Sequence, residues 1–159
     1  MLRRIMSVVV VVGATMALAS PASATAPVQV RISEPATITL EAPDWCPGAD
    51  VRFDVEQNFK SITFSGSIGF GFTTLTAGRI FIVATNLETG ASVALPSSGP
   101  GFIDADGVPI IGTGPWVLFN PGSVLFLRGR MEFEPSEFGV DVSVLQGTSR
   151  DICAMVGAD

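Results

Sequence analysis

The chain is predicted to be all-β: an antiparallel β-sandwich of immunoglobulin-like or similar topology, with a closed barrel as the alternative and a short N-terminal signal helix ahead of it. Three observations lead there. Much of the chain divides into short alternating or β-branched segments, with Gly, Pro, Asn and Asp clusters about every eight to twelve residues. No stretch repeats apolar residues at the 3.6 period with helix caps. Finally, Cys46 and Cys153 stand near opposite ends of the exported part, where one disulfide would staple layer to layer.

Residues 1–24 come first. Arg3 and Arg4 precede an apolar run from Val8 to Ala19, and small residues follow up to Ala24. That is the pattern of a secretory signal peptide cut after Ala24. The run is shorter than the roughly 20 residues a spanning helix needs. Residues 25–159 are then one all-β domain, secreted, with no stable membrane association expected after cleavage.

Residues 28–32 and 37–41 alternate in polarity, with Glu34-Pro35 as the break between them. Residues 43–48 form a turn that carries Cys46, with Trp45 placed to cover the sulfur. In residues 50–56, Val51, Phe53 and Val55 face inward and Asp50, Arg52, Asp54 and Glu56 face water. Residues 61–74 have an apolar set (Ile62, Phe64, Ile68, Phe70, Phe72) alternating with small groups, and Gly66 is expected to divide two strands by a turn or bulge. Residues 79–85 are apolar at nearly every step, which predicts a strand covered on both faces. Asn86 to Gly90 is a tight loop, with Asn86 opening the turn and Gly90 supplying the left-handed residue before the strand at 91–95.

Further along, Asp104 and Gly107 mark another hairpin, Gly112 to Pro115 reads as a turn, and residues 116–119 as a short strand. Asn120-Pro121-Gly122 is a strong turn signal. Residues 124–134 form a long strand with Leu125, Leu127, Met131 and Phe133 on one side, ended by Pro135. Residues 138–145 are the last strand, and residues 150–154 return Cys153 to the body. A disulfide there would close a loop of roughly 100 residues, contributing about 4–5 kcal/mol by loss of unfolded-state entropy.

Composition narrows the chemistry. Nine basic residues against fifteen acidic ones give a formal charge of −6, and the exported part is more acidic still without Arg3 and Arg4. The remaining cations are scattered, so nucleic acid and anionic lipid surfaces are not expected partners. There is no histidine, which removes Ser-His-Asp and Cys-His mechanisms and ordinary zinc sites; no metal or other cofactor is expected. Glu132 and Glu134 lie two apart on one strand, the spacing that would let paired carboxylates work on a glycan, but Arg128 and Arg130 share their face and a salt-bridged outer surface accounts for all four. Asp104 and Asp106 fall short of the six to eight oxygens calcium takes, and a turn explains them. The candidate ligand-binding face is Ser61, Thr63, Ser65, Ser67 and Thr73, a row of small hydroxyls that could serve as a platform.

Several stretches, taken in order, resemble a group of small exported actinobacterial β-rich proteins with no assigned activity. These are Gly78-Arg79, Thr85-Asn86-Leu87-Glu88-Thr89-Gly90, Ser98-Gly99-Pro100-Gly101, Gly112-Thr113-Gly114, Leu127-Arg128-Gly129-Arg130 and Asp151-Ile152-Cys153-Ala154. The group's usual Asn after the second hairpin strand is replaced by Pro96-Ser97. The resemblance implies a disulfide-linked, exported β domain and brings no catalytic residue with it. The expectation is therefore an extracellular, non-catalytic binding or interaction protein for an unassigned extracellular ligand or protein, with a carboxylate-based glycan hydrolase as the alternative.

Overall fold

The computed structural model describes residues 25–69, 71–137 and 139–159. The expected signal peptide, residues 1–24, and its helix lie outside these residues. The elements are β1 (Val28–Ile32), β2 (Ala36–Leu40), β3 (Val51–Ile68), β4 (Phe72–Asn86), β5 (Ser92–Pro96), β6 (Gly101–Ile103), β7 (Pro109–Asn120), β8 (Ser123–Ser136), β9 (Gly139–Asp151) and a single helical turn, α1 (Ile152–Met155).

All pairings are antiparallel. They make one nine-stranded sheet in the order β1-β3-β4-β6-β7-β8-β9, with β2 also on β3 and β5 also on β4. The all-β antiparallel class is thus as read, but the ladder is one open sheet and does not divide into two. The difference comes from strands that continue where turns were expected. The β3–β4 hairpin turns beyond the Ile68–Phe72 pair, while Gly66 sits inside a register shift between Thr63 and Ile68. Gly112 to Pro115 is no turn; β7 runs through it. The last strand continues past Leu145 to Asp151.

The main core gathers Val51 and Phe53 of β3, Ile82 and Ala84 of β4, Leu95 of β5, and Val124 and Phe126 of β8. Phe53 meets Phe119 of β7 edge-on at 5.2 Å between ring centroids, so β3 and β7 face each other across this core. On β4 only the Ile82–Ala84 face is buried; Phe81, Val83 and Thr85 are half-buried, which corrects the expectation of a strand covered on both sides. Instead β8 is the strand buried both ways. Val124 and Phe126 enter the main core, and Leu127, Met131 and Phe133 join Leu118 in a second cluster.

A crease explains that second cluster. Gly114, Gly129 and Gly147 are direct cross-strand neighbours on β7, β8 and β9. Gly114 and Gly129 have φ of 85° and 131°. A side chain at Gly129 would overlap the Gln146 carbonyl oxygen, and one at Gly147 the Arg128 carbonyl oxygen. Trp116 is paired with Leu127, and Phe133 lies six residues further along β8, about 20 Å on a straight strand. Yet the Trp116 and Phe133 rings are 5.5 Å apart. The ribbon is folded over on itself at the glycine line, closing Trp116 and Leu127 against Met131 and Phe133.

The chain end is tied to the hairpin loop. Cys46 and Cys153 form a disulfide with Cα atoms 5.4 Å apart. The Asp151 carboxylate caps α1 by accepting from the Cys153 and Ala154 N–H groups. Asn86 is 1% exposed. Its Oδ1 accepts from the N–H groups of Glu88 and Thr89, as a turn-opening Asn should, while its Nδ2 donates to the carbonyls of Val156 (3.2 Å) and Gly157 (3.0 Å). Alanine here strands buried donors and acceptors on two segments. Asn86→Ala is expected to lower the unfolding free energy by about 2–3 kcal/mol, read as a lower urea midpoint; an unchanged midpoint would contradict the bridging role.

Candidate functional site

Strand register decides which residues look into the cleft. Phe53↔Ala84, Val55↔Ile82, Gln57↔Ile80, Phe59↔Gly78 and Thr63↔Thr74 are direct partners, so odd positions of β3 share a face with even positions of β4. On β2, Ile38 pairs with Phe53; on β1, Val30 pairs with Ser61 and Val28 with Thr63, extending the same face sideways. This inner face changes character along its length. The end nearest the disulfide is packed solid around Phe53, Ala84 and Leu95.

In the middle, the face stands away from β7 and leaves a cavity of about 370 Å³. Phe59, Ile80 and Ile82 form one wall, and Trp116, Val117 and Phe119 the other, with Ile38 at the rim. Gly78 lets β4 approach β3 closely beside the cavity, since a Cβ there would overlap the Phe59 backbone. Trp116 holds its place because Gly101 and Gly112 lie under its ring; a Cβ at Gly112 would meet the indole at 2.9 Å. The indole N–H donates to the Thr113 carbonyl at 3.2 Å, which fixes the ring edge.

The polar side chains on the lining are already engaged within the protein. Gln57 Nε2 donates to the Glu34 carbonyl (2.8 Å), Ser97 Oγ to the Pro115 carbonyl (3.3 Å) and Thr76 Oγ1 to the Gly101 carbonyl (3.4 Å). No charged residue lines the cleft among the described residues. Toward the hairpin tip the inner face opens. Val28 and Val30 are 64% and 52% exposed there, while Ile38, 43% exposed, stands beside Phe53 at the other end of the face.

The candidate hydroxyl row is only partly one surface. Ser61 and Thr63 sit on the inner face at the cleft mouth, and the Thr63 and Thr74 hydroxyls meet at 3.2 Å. Ser65 and Ser67 are exposed but fall in the register shift. Thr73 neighbours Thr74 and so turns to the opposite face, donating to the Asp104 carbonyl at 2.9 Å. Ile62 and Phe64, from the apolar set of this stretch, lie on that opposite face, where Ile62 pairs with Leu75 and the Phe72 ring meets those of Phe64 and Phe102 edge-on. The reason is a parity change inside β3: the apolar positions are odd up to Phe59 and even from Ile62, while the backbone keeps its alternation.

The carboxylate pair does not converge. Glu132 accepts from Arg130 at 2.8 Å and Glu134 is exposed, and neither lines the cleft. Asp104 Oδ1 accepts from the N–H groups of Asp106 and Val108, the turn expected of it. Among the described residues no group of three or more His, Cys, Asp or Glu side chains is placed to hold a metal ion. What was not read from the sequence is the cleft itself and the roles of Phe59, Trp116 and Phe119. The available signal was the cluster Gly99, Gly101, Gly112 and Gly114 flanking a lone tryptophan.

Fold and cleft together define an antiparallel β protein with a mainly apolar cavity that no charged residue lines among the described residues. Comparison with protein-family models, curated proteins and solved structures finds no match. The disulfide is formed, and no helix among the described residues is long and apolar enough to cross a membrane.

Proposed function

We propose that this protein is exported and works outside the cell as a non-catalytic binding protein whose cleft takes a small, uncharged, apolar ligand. The cleft carries the reading: about 370 Å³, within the usual range of ligand sites, walled by aromatic and aliphatic groups, with its polar side chains turned to internal partners. A charged or strongly polar ligand would lose hydration there and gain no partner in return. Export is supported by the signal-peptide pattern of residues 1–24 and by the disulfide, which persists in oxidising compartments. The likeness to small exported actinobacterial proteins agrees with that compartment. In this reading the single sheet, folded so that β3 faces β7, serves the purpose of a sandwich: it holds two walls apart around a ligand. The hydrolase alternative gains nothing from the cleft, which has no acidic side chain on its lining among the described residues.

The test is a titration of the exported protein with N-phenyl-1-naphthylamine, a neutral apolar dye, followed by dye and tryptophan fluorescence. Saturable binding is expected, with Ile38→Asp weakening it at least tenfold, about 1.4 kcal/mol. Ile38 is exposed enough at the rim for the variant to fold, and a thermal melt checks that it does. Absence of saturation, or equal affinity in Ile38→Asp, would sink the proposal.

A further inference from the structure

We propose that a second site, separate from the cleft, binds an oxyanion head group carried on a short apolar body, through Arg128 and Arg150. The two arginines are placed together by register. Arg128 pairs with Thr148 and Phe126 with Arg150, so all four side chains share one face of β8–β9, and the arginines are diagonal neighbours, about 7–8 Å apart. That separation suits two guanidinium groups closing on one carboxylate or phosphate. Between them and β5 lies a cavity of about 280 Å³, which also touches Ala94, Leu95 and Met155.

Three further observations point to a ligand. First, the protein is acidic, and Arg52 and Arg130 have carboxylate partners in Asp54 and Glu132; Arg128 and Arg150 form no ion pair among the described residues. Second, the Arg128 guanidinium lies 5.2 Å from the centre of the Phe126 ring, held over the sheet beside the cavity. Third, the β5 edge contributes a backbone donor. Ser97 N–H donates to Ile80 and Asn86 N–H to Ala91, in the same register that pairs Val93 with Ala84 and Leu95 with Ile82. Hydrogen-bonded pairs alternate along an antiparallel ladder, so Ala94, paired with Val83, turns its N–H off the free edge of β5. Arg128, Arg150, Thr148 and the Ala94 edge line the cavity where the head group would sit, while Leu95, Phe126 and Met155 supply apolar surface for the body.

The experiment uses isotope-labelled exported protein and two-dimensional amide spectra. Octanoate and octyl phosphate are titrated separately, and their relative affinities tell carboxylate from phosphate; octanol is the uncharged control. Both anions are expected to shift the amides of Ala94, Arg128, Thr148 and Arg150, octanol to leave them in place, and R128Q/R150Q to weaken anion binding at least tenfold. Both arginines are exposed, so the double variant should keep its fold, and its amide spectrum verifies this. Shifts confined to Phe59, Ile80 and Trp116 would report the cleft alone and overturn this site. Equal anion affinity in R128Q/R150Q would overturn it as well, whatever the outcome at the cleft.

Discussion

Replacing Cys46 and Cys153 together by alanine is expected to lower the unfolding free energy by about 4–5 kcal/mol. The bond joins residues 107 apart, so it removes a large share of the freedom of the unfolded chain while adding little to the folded one. A domain of this size holds about 5–15 kcal/mol in all, so the double variant sits near the edge of folding at 37 °C. The effect should be concentrated at the chain end. Asn86 and the Gly48–Ala158 backbone bond (3.0 Å) also hold that end, but they too join distant parts of the chain, so the staple lowers the entropy cost of forming them. Urea unfolding of oxidised protein against the double variant reads the difference, and a reducing agent on the native protein should reproduce it. A loss under about 1 kcal/mol would mean that those contacts alone close the structure, and that the long loop counts for far less than chain entropy predicts.

The second large effect is at the crease. Gly129→Ala is expected to cost about 3–5 kcal/mol, the sum of backbone strain and an overlap that neither strand can relieve. The φ of 131° disfavours any L side chain, and the atom in the way is the Gln146 carbonyl oxygen, part of the ladder and not a movable side-chain tip. Gly139→Ala separates the two terms. Its φ is 125°, but nothing lies within 4 Å of its Cβ, so it should lose only the strain share, about 1–2 kcal/mol. Equal losses at the two sites in thermal melts would show that close contact plays no part, and the crease would reduce to two unusual backbone angles. Because Trp116 reaches Phe133 only through that fold, Gly129→Ala should also raise the exposure of Trp116 and red-shift its emission.

The difference between what was legible and what was not has a physical basis at particular residues. Strands and hairpin loops are local products of side-chain period and turn chemistry. The loop from Asn86 to Gly90, with Gly90 at φ 74°, and the Asp104 turn were readable because each is built by its own residues. The cysteine pair was readable because only two cysteines exist. Gly66 does fall in an irregularity of the β3 register, although the strand continues through it. Gly112 to Pro115 misled the reading for the converse reason. A glycine that permits a turn also permits close approach of a neighbouring strand or ring, and only the neighbour distinguishes the two. Gly112 lies under Trp116, and Gly114 touches Gly99.

By itself, then, the amino-acid order determined an antiparallel β chain with an export pattern, one long-range sulfur link and no histidine chemistry, because these rest on composition and on contacts a few residues long. Which face of β3 looks inward beyond Phe59, where the sheet folds, and that Phe59, Ile80 and Trp116 enclose an apolar space were decided by tertiary structure. Each of those depends on register between strands far apart in the chain, and alternation along one strand carries no information about which residue stands opposite.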